Sequence, residues 1–137
     1  MMDRDQKLNT YSKLENDLPS LEKEKTMSTE LALPHAVAAL IAAQNNYDST
    51  VFSEQFTIDA TVYDEGQSYN GRPAIKQWNQ MTNDKYSVTL MPVAFMNEDA
   101  HSILTVQVSG NFPGSPIDLK YQFTFERDQI KTLKISS

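Results

Sequence analysis

The chain has no cysteine. Disulfides, thiolate metal sites and a cysteine nucleophile are excluded, and the composition suits a reducing cytoplasm, the expected location. Only two histidines occur, His35 and His101, without the close spacing of a zinc pair, so no metal site is expected. Long hydrophobic runs are missing too. The longest, residues 36–43, falls far short of the roughly 20 residues that cross a membrane, so no membrane association is expected. The first thirty residues carry charges of both signs and no apolar stretch, so a secretory signal is not expected. Positive charge is also scarce: 12 Lys and Arg stand against 18 Asp and Glu, a formal charge of −6. With no basic stripe to neutralise phosphates, nucleic acid is not an expected partner.

What remains is an ordinary composition, 39% hydrophobic and 22% charged over 137 residues, enough for one domain with a modest core. Residues 1–26 differ from the rest. They are rich in Lys, Glu, Asp and Asn, with Leu8, Tyr11, Leu14 and Leu18 at helical spacing before Pro19. Two readings stand: a loosely held N-terminal extension, or an amphipathic helix docking on the body or on a partner. Met27 is a second plausible chain start, which makes 27–137 the working domain.

Pro34 suits the first turn of a helix, and the alanines at 36, 38, 39, 42 and 43 favour helix beyond it. Val37, Leu40, Ile41 and Gln44 share one face. Asp48 is a good N-cap for a second helix with an apolar stripe of Val51, Phe52 and Phe56. Residues 58–64 then alternate: Ile58, Ala60, Val62 and Asp64 fall on one side, Asp59, Thr61 and Tyr63 on the other. An apolar inward face therefore carries Asp64 inward at the strand's end. Gly66 turns the chain, 67–70 reads as a short returning strand, and Gly71-Arg72-Pro73 opens a third helix with Ile75, Trp78 and Met81 or Thr82 on one face.

Long strands follow. Residues 86–96 form the first, where Pro92 marks an edge or a bulge. Residues 101–109 form the next, with Leu104, Val106 and Val108 on the core side and His101, Ile103, Thr105 and Gln107 away from it. Residues 110–116 make a turn-rich loop, and 117–126 alternate with Ile117, Leu119, Tyr121, Phe123 and Phe125 inward. A last strand covers 130–135. Helices first and antiparallel strands afterwards indicate an α+β layout, with helices on one face of the sheet.

Three segments carry a family likeness: Asn45-Asn46-Tyr47-Asp48, the run from Phe56-Thr57-Ile58 to Val62-Tyr63-Asp64, and Tyr69-Asn70-Gly71-Arg72-Pro73-Ala74-Ile75. The chain resembles the SnoaL-like branch of the nuclear transport factor 2-like superfamily, the ketosteroid isomerase and polyketide cyclase group, over about residues 30–136. The resemblance implies a cone-shaped α+β barrel of the cystatin-like kind, in which N-terminal helices pack on a strongly curved antiparallel sheet around one apolar pocket. It also implies a homodimer through the outer sheet face, a small apolar ligand and no cofactor. In ketosteroid isomerase relatives a general-base Asp ends the first strand, and Asp64 falls there. Their oxyanion donors are a Tyr in the first helix and an Asp in a late strand; this chain has Leu40 and Tyr121 instead. The fold hosts isomerases, cyclases, dehydratases, hydrolases and binding modules, so the likeness speaks to architecture before activity.

Asp64 and Tyr121 are the candidate catalytic pair. An Asp aimed into an apolar hollow has its charged form disfavoured, which suits proton transfer beside a carbonyl. The plainer reading is that Asp64 with Glu65 and Gly66 only shapes a turn. Tyr121 is either a hydrogen-bond donor to an oxyanion or a core tyrosine. Trp78, Tyr69, Asn111, Phe112 and Phe123 are the candidate ligand-facing residues, each with a structural alternative as core, surface or loop. Three functions stay open: a cofactor-free enzyme on a small carbonyl compound, a non-catalytic binding module, and a dimerisation domain.

Overall fold

In the computed structural model, which describes residues 31–137, the alanine-rich stretch becomes α1 (His35–Asn45). Pro34 occupies its N-cap, where a missing N–H costs nothing. Tyr47, at a φ of 55°, turns the chain, and Asp48 caps α2 (Ser49–Glu54) by accepting the Val51 N–H at 3.1 Å. β1 (Phe56–Asp64) and β2 (Gln67–Asn70) then form a hairpin around Glu65 and Gly66. Those two residues have φ of 52° and 77°, the pair of positive values a tight hairpin demands. Gly71 at φ 86° leads into α3 (Arg72–Tyr86), with Pro73 in its first turn. β3 (Thr89–Asn97), β4 (Ser102–Ser109), β5 (Ile117–Glu126) and β6 (Gln129–Ser136) complete the chain.

The six strands lie in the order β2-β1-β6-β5-β4-β3. Every pair is antiparallel except β1 with β6, which run side by side in the same direction. The expectation of a wholly antiparallel sheet is corrected at this one seam. The cause is connectivity: α3 carries the chain to the far edge, and three successive reversals return it beside β1 pointing the same way. Register shifts between Phe56 and Thr61, Pro92 and Ala94, and Thr124 and Phe125 bend the strands. Pro92 thus sits both at a bulge and on an edge strand. Ala60, Val62, Leu104, Val106, Phe123 and Leu133 face the helices and are fully buried with Val37, Leu40, Phe56 and Ile75.

The structure departs from the alternation read in the sequence at four places. Ile58 is 77% exposed, because the irregularity between Phe56 and Thr61 turns it outward while Phe56 takes the buried place. Tyr86 ends α3 rather than opening a strand. Met81 is exposed, and the helix buries Ile75 and Asn79 at i, i+4 spacing instead. Ile117 is exposed at the strand's mouth.

Asn79 belongs to a polar network that the sequence did not announce. Its amide N–H donates to Gln44 Oε1 at 2.6 Å, and its oxygen accepts from the Ser49 hydroxyl at 2.6 Å. Gln44 in turn donates to Asn83 Oδ1 at 2.7 Å and to the Val88 carbonyl at 2.9 Å. Gln44, Ser49 and Asn79 are buried, so the network ties α1, α2 and α3 together where water cannot substitute. Asn79→Ala should cost about 2 kcal/mol or more in urea denaturation, since it strands two buried groups. A loss under about 0.5 kcal/mol, the range of ordinary surface changes, would contradict this.

Candidate active site at the end of the first strand

Past the irregularity, β1 keeps strict alternation, with Ala60 and Val62 fully buried and Asp64 half-buried at the end of the same face. Strand register decides what Asp64 meets. Tyr63 pairs with Lys134, so Asp64 comes beside Ile135 one step on. Ile135 pairs with Tyr121, and Tyr121 with Leu104. Asp64, Ile135, Tyr121 and Leu104 therefore form one cross-strand row on the helix-covered face. Two strand spacings separate the Asp64 and Tyr121 backbones, roughly 10 Å, within reach of one small molecule.

Burial pushes the Asp64 carboxyl above the ordinary carboxylate range, and the neighbouring Glu65 charge adds to the rise. Trp78, close by, opposes both in part. Tyr121 is 8% exposed. Burial, and then the charge of Asp64, push its hydroxyl above the usual phenol range, so it stays a neutral donor at any physiological pH. The two residues thus feel each other, one as a base whose proton affinity is raised, the other as a donor that keeps its proton.

Aromatic side chains close the site on the α3 side. Tyr69 lies opposite Val62, next to Asp64 along the inner face of the hairpin. Its ring stacks on Trp78 at 5.5 Å, and Trp78 leans on Phe52 at 6.2 Å. Asp64 also lines an open cleft of about 420 Å³ together with Tyr63, Glu65, Gln67, Lys134 and Ile135. Lys134 and Glu65 were not singled out from the sequence. A signal was available for Glu65, which follows the inward Asp64, but not for Lys134, whose strand carries no assigned parity.

Phe123 is wholly buried in the next row, between Leu133 and Ser102. It supports Tyr121 from below, at 6.3 Å between rings. Asn111 and Phe112 belong elsewhere. Their loop begins where β4 ends, about 17 Å of strand from Tyr121. Phe112 packs edge-on against Tyr86 at 6.0 Å, and the Asn111 N–H donates to the Tyr86 carbonyl at 2.7 Å. A Cβ on Gly110 would come within 2.7 Å of that same carbonyl, so the loop braces the end of α3 and needs its glycine. His101 sits beside Glu98 at 3.2 Å, away from the site. Among the described residues no cluster of three or more His, Cys, Asp and Glu could hold a metal ion. Nor is any described helix long and apolar enough to cross a membrane.

No protein-family model matches the chain, and no curated protein matches it. Solved structures do. A protein from Sinorhizobium meliloti, provisionally called a polyketide cyclase, is 32% identical, with 81% of this chain and 100% of that chain covered at a TM-score of 0.74. A protein with a ketosteroid isomerase-like fold from Catenulispora acidiphila, solved with trimethylamine, is 18% identical over 77% and 87% of the two chains, at a TM-score of 0.69. SalBIII, an epoxide hydrolase/cyclase-like enzyme with a role in pyran ring formation in the polyether salinomycin, is 20% identical over 74% and 86%, at a TM-score of 0.64. The latter two share the fold, and the first shares sequence over its full length. The chain belongs to the SnoaL-like branch of the nuclear transport factor 2-like superfamily.

Proposed function

We propose that this chain is a cofactor-free enzyme that moves a proton on a small, largely apolar carbonyl compound, with Asp64 as general acid/base and Tyr121 as hydrogen-bond donor. The observation behind this is the cross-strand row that sets a half-buried carboxyl with raised proton affinity near a buried, protonated phenol. In the proposed step the Asp64 carboxylate takes a proton from the carbon beside a carbonyl. Tyr121 donates a hydrogen bond to the carbonyl oxygen as it gains charge, and Asp64 then returns the proton to the product. Such a base contributes roughly 10²–10⁴-fold. The ring-forming chemistry named for SalBIII and for the Sinorhizobium relative supports the general class.

The test is exchange in heavy water. A panel of cyclic and aryl ketones incubated with the protein should lose its α-proton NMR signal faster than in buffer alone. One observation favours a second reading, a non-catalytic binding module: Tyr121 does not line the open cleft that Asp64 lines. Ketone-induced thermal stabilisation that survives Asp64→Asn, with no exchange anywhere in the panel, would select that reading.

We also propose a homodimer through the outer sheet face. There Met96 pairs with Ile103, and both line a depression of about 330 Å³ with Ala94 and Thr105. Ile103→Lys should halve the mass found by sedimentation. A wild-type monomer at every concentration from micromolar to millimolar would refute the dimer.

A further inference from the structure

We propose that Ile135 is the specificity-determining residue of the site: it stands between Asp64 and Tyr121 and limits the thickness of the ketone that reaches both. This rests on the proton-transfer reading above and deepens it, by giving the reason the ligand must be small. Strand order sets the arrangement. β6 lies between β1 and β5 and is paired on both sides, so its backbone is fixed from both edges. Leu133 is fully buried, level with Val62 on one side and Phe123 on the other. Ile135 follows Leu133 by two residues and so shares its inner face. Asp64 follows Val62 by two, and Tyr121 precedes Phe123 by two, so all three side chains rise from one row. Neighbours in that row are about 4.8 Å apart. A path from the carboxyl to the phenol therefore passes over the Ile135 side chain.

The cleft agrees with this placing. Asp64 and Ile135 both line it, and Tyr121 does not. β1 ends at Asp64 and β6 at Ser136, whereas β5 runs on from Lys120 to Ile117 past that edge. Ile135 is thus the last inward side chain of β6, with the open cleft on one side and Tyr121 on the other. It is partly buried and packed against the core, so its base is held while its tip meets the cleft. Isoleucine branches at Cβ and is stiff at χ1, so it does not swing out of the row as an unbranched side chain would. Tyr121 is only 8% exposed, and among the described residues no hydrogen bond reaches its hydroxyl. A buried hydroxyl favours finding an acceptor, and a carbonyl oxygen seated over Ile135 supplies one. A larger side chain at position 135 closes that seat, and a smaller one deepens it. One methylene in such a pocket changes discrimination by about 10–200-fold.

The test compares cyclohexanone with the thicker, bicyclic 2-decalone. Their α-protons are of similar acidity, so the ratio between them reads shape. Exchange in heavy water and dissociation constants from NMR titration are measured for the full-length wild type, Ile135→Ala, Ile135→Val and Ile135→Phe. Ile135→Ala should raise the ratio of 2-decalone to cyclohexanone by about tenfold or more, in rate and in affinity. Ile135→Val should move it the same way by less, and Ile135→Phe the opposite way. Ratios within about threefold of wild type in every folded variant, well below the worth of a methylene, overturn the proposal. So does a ratio that falls in Ile135→Ala. The Val and Phe variants decide alone if Ile135→Ala does not fold. Affinity ratios that follow the series while no protein exchanges either ketone would sink the enzyme reading and leave the role of Ile135 standing. Exchange in wild type with a flat ratio would do the reverse, and no binding of either ketone by any of the proteins would overturn both.

Discussion

Asp64→Asn should lower ketone α-proton exchange by about 100-fold or more, and the same variant should melt at a higher temperature at neutral pH. The two effects share a cause. Burial and Glu65 raise the proton affinity of Asp64 in the fold above its unfolded value. The folded state therefore disfavours the ionised form. Below the unfolded value, near about 3.9, the group is protonated in both states and carries no penalty. As pH rises through the folded value the penalty develops fully, and it remains at neutral pH. Asparagine is never ionised and has nearly the same shape, so it removes the penalty. Melting curves of both proteins should diverge in favour of Asn above the folded value and converge as pH falls below about 4. An Asn variant less stable at pH 7, or exchange unchanged within about threefold, would show that Asp64 serves the fold and not a reaction.

Phe123→Ala should cost about 3–5 kcal/mol, the largest loss expected from any one change here. Total stability of a domain this size is about 5–15 kcal/mol, so the variant should lose a large share of it. Phe123 is fully buried, its backbone pairs with Leu133 on one side and Ser102 on the other, and its ring contacts Tyr121 at 6.3 Å and Phe125 at 6.0 Å. Truncation removes dispersion contacts and leaves a cavity that fixed strands cannot close. Trp78 fluorescence in urea gives the measurement. Phe123→Leu, which keeps most of the volume, should lose far less and leave the Asp64 titration where it was. A loss under about 1 kcal/mol for the alanine variant would mean the neighbourhood is a ligand cavity and not close-packed core.

Local rules account for much of the site. The alternation of Ala60, Val62 and Asp64 follows from strand geometry alone, and it brings the carboxyl to the helix-covered face as expected. The Asp48 cap, the returning strand over residues 67–70 and the inward face of Tyr121 and Phe123 are legible for the same reason: each depends on neighbours two to four positions away. Ile58 shows where that reasoning stops. Its parity agrees with Ala60, yet the strand breaks step between them, and pairing with β6 decides which side wins.

By itself, then, the sequence determined the elements, their order, the family likeness and the side of its strand on which Asp64 lies. Tertiary structure decided the rest. Parallel docking of β6 against β1 puts Tyr121 in the row of Asp64, the stack from Tyr69 through Trp78 to Phe52 joins β2, α3 and α2, and Gln44, Ser49 and Asn79 find one another across three helices. The division has a physical reason. Periodicity records only which way a side chain leaves its own backbone, whereas partners far along the chain are chosen by burial and hydrogen bonding summed over the whole fold.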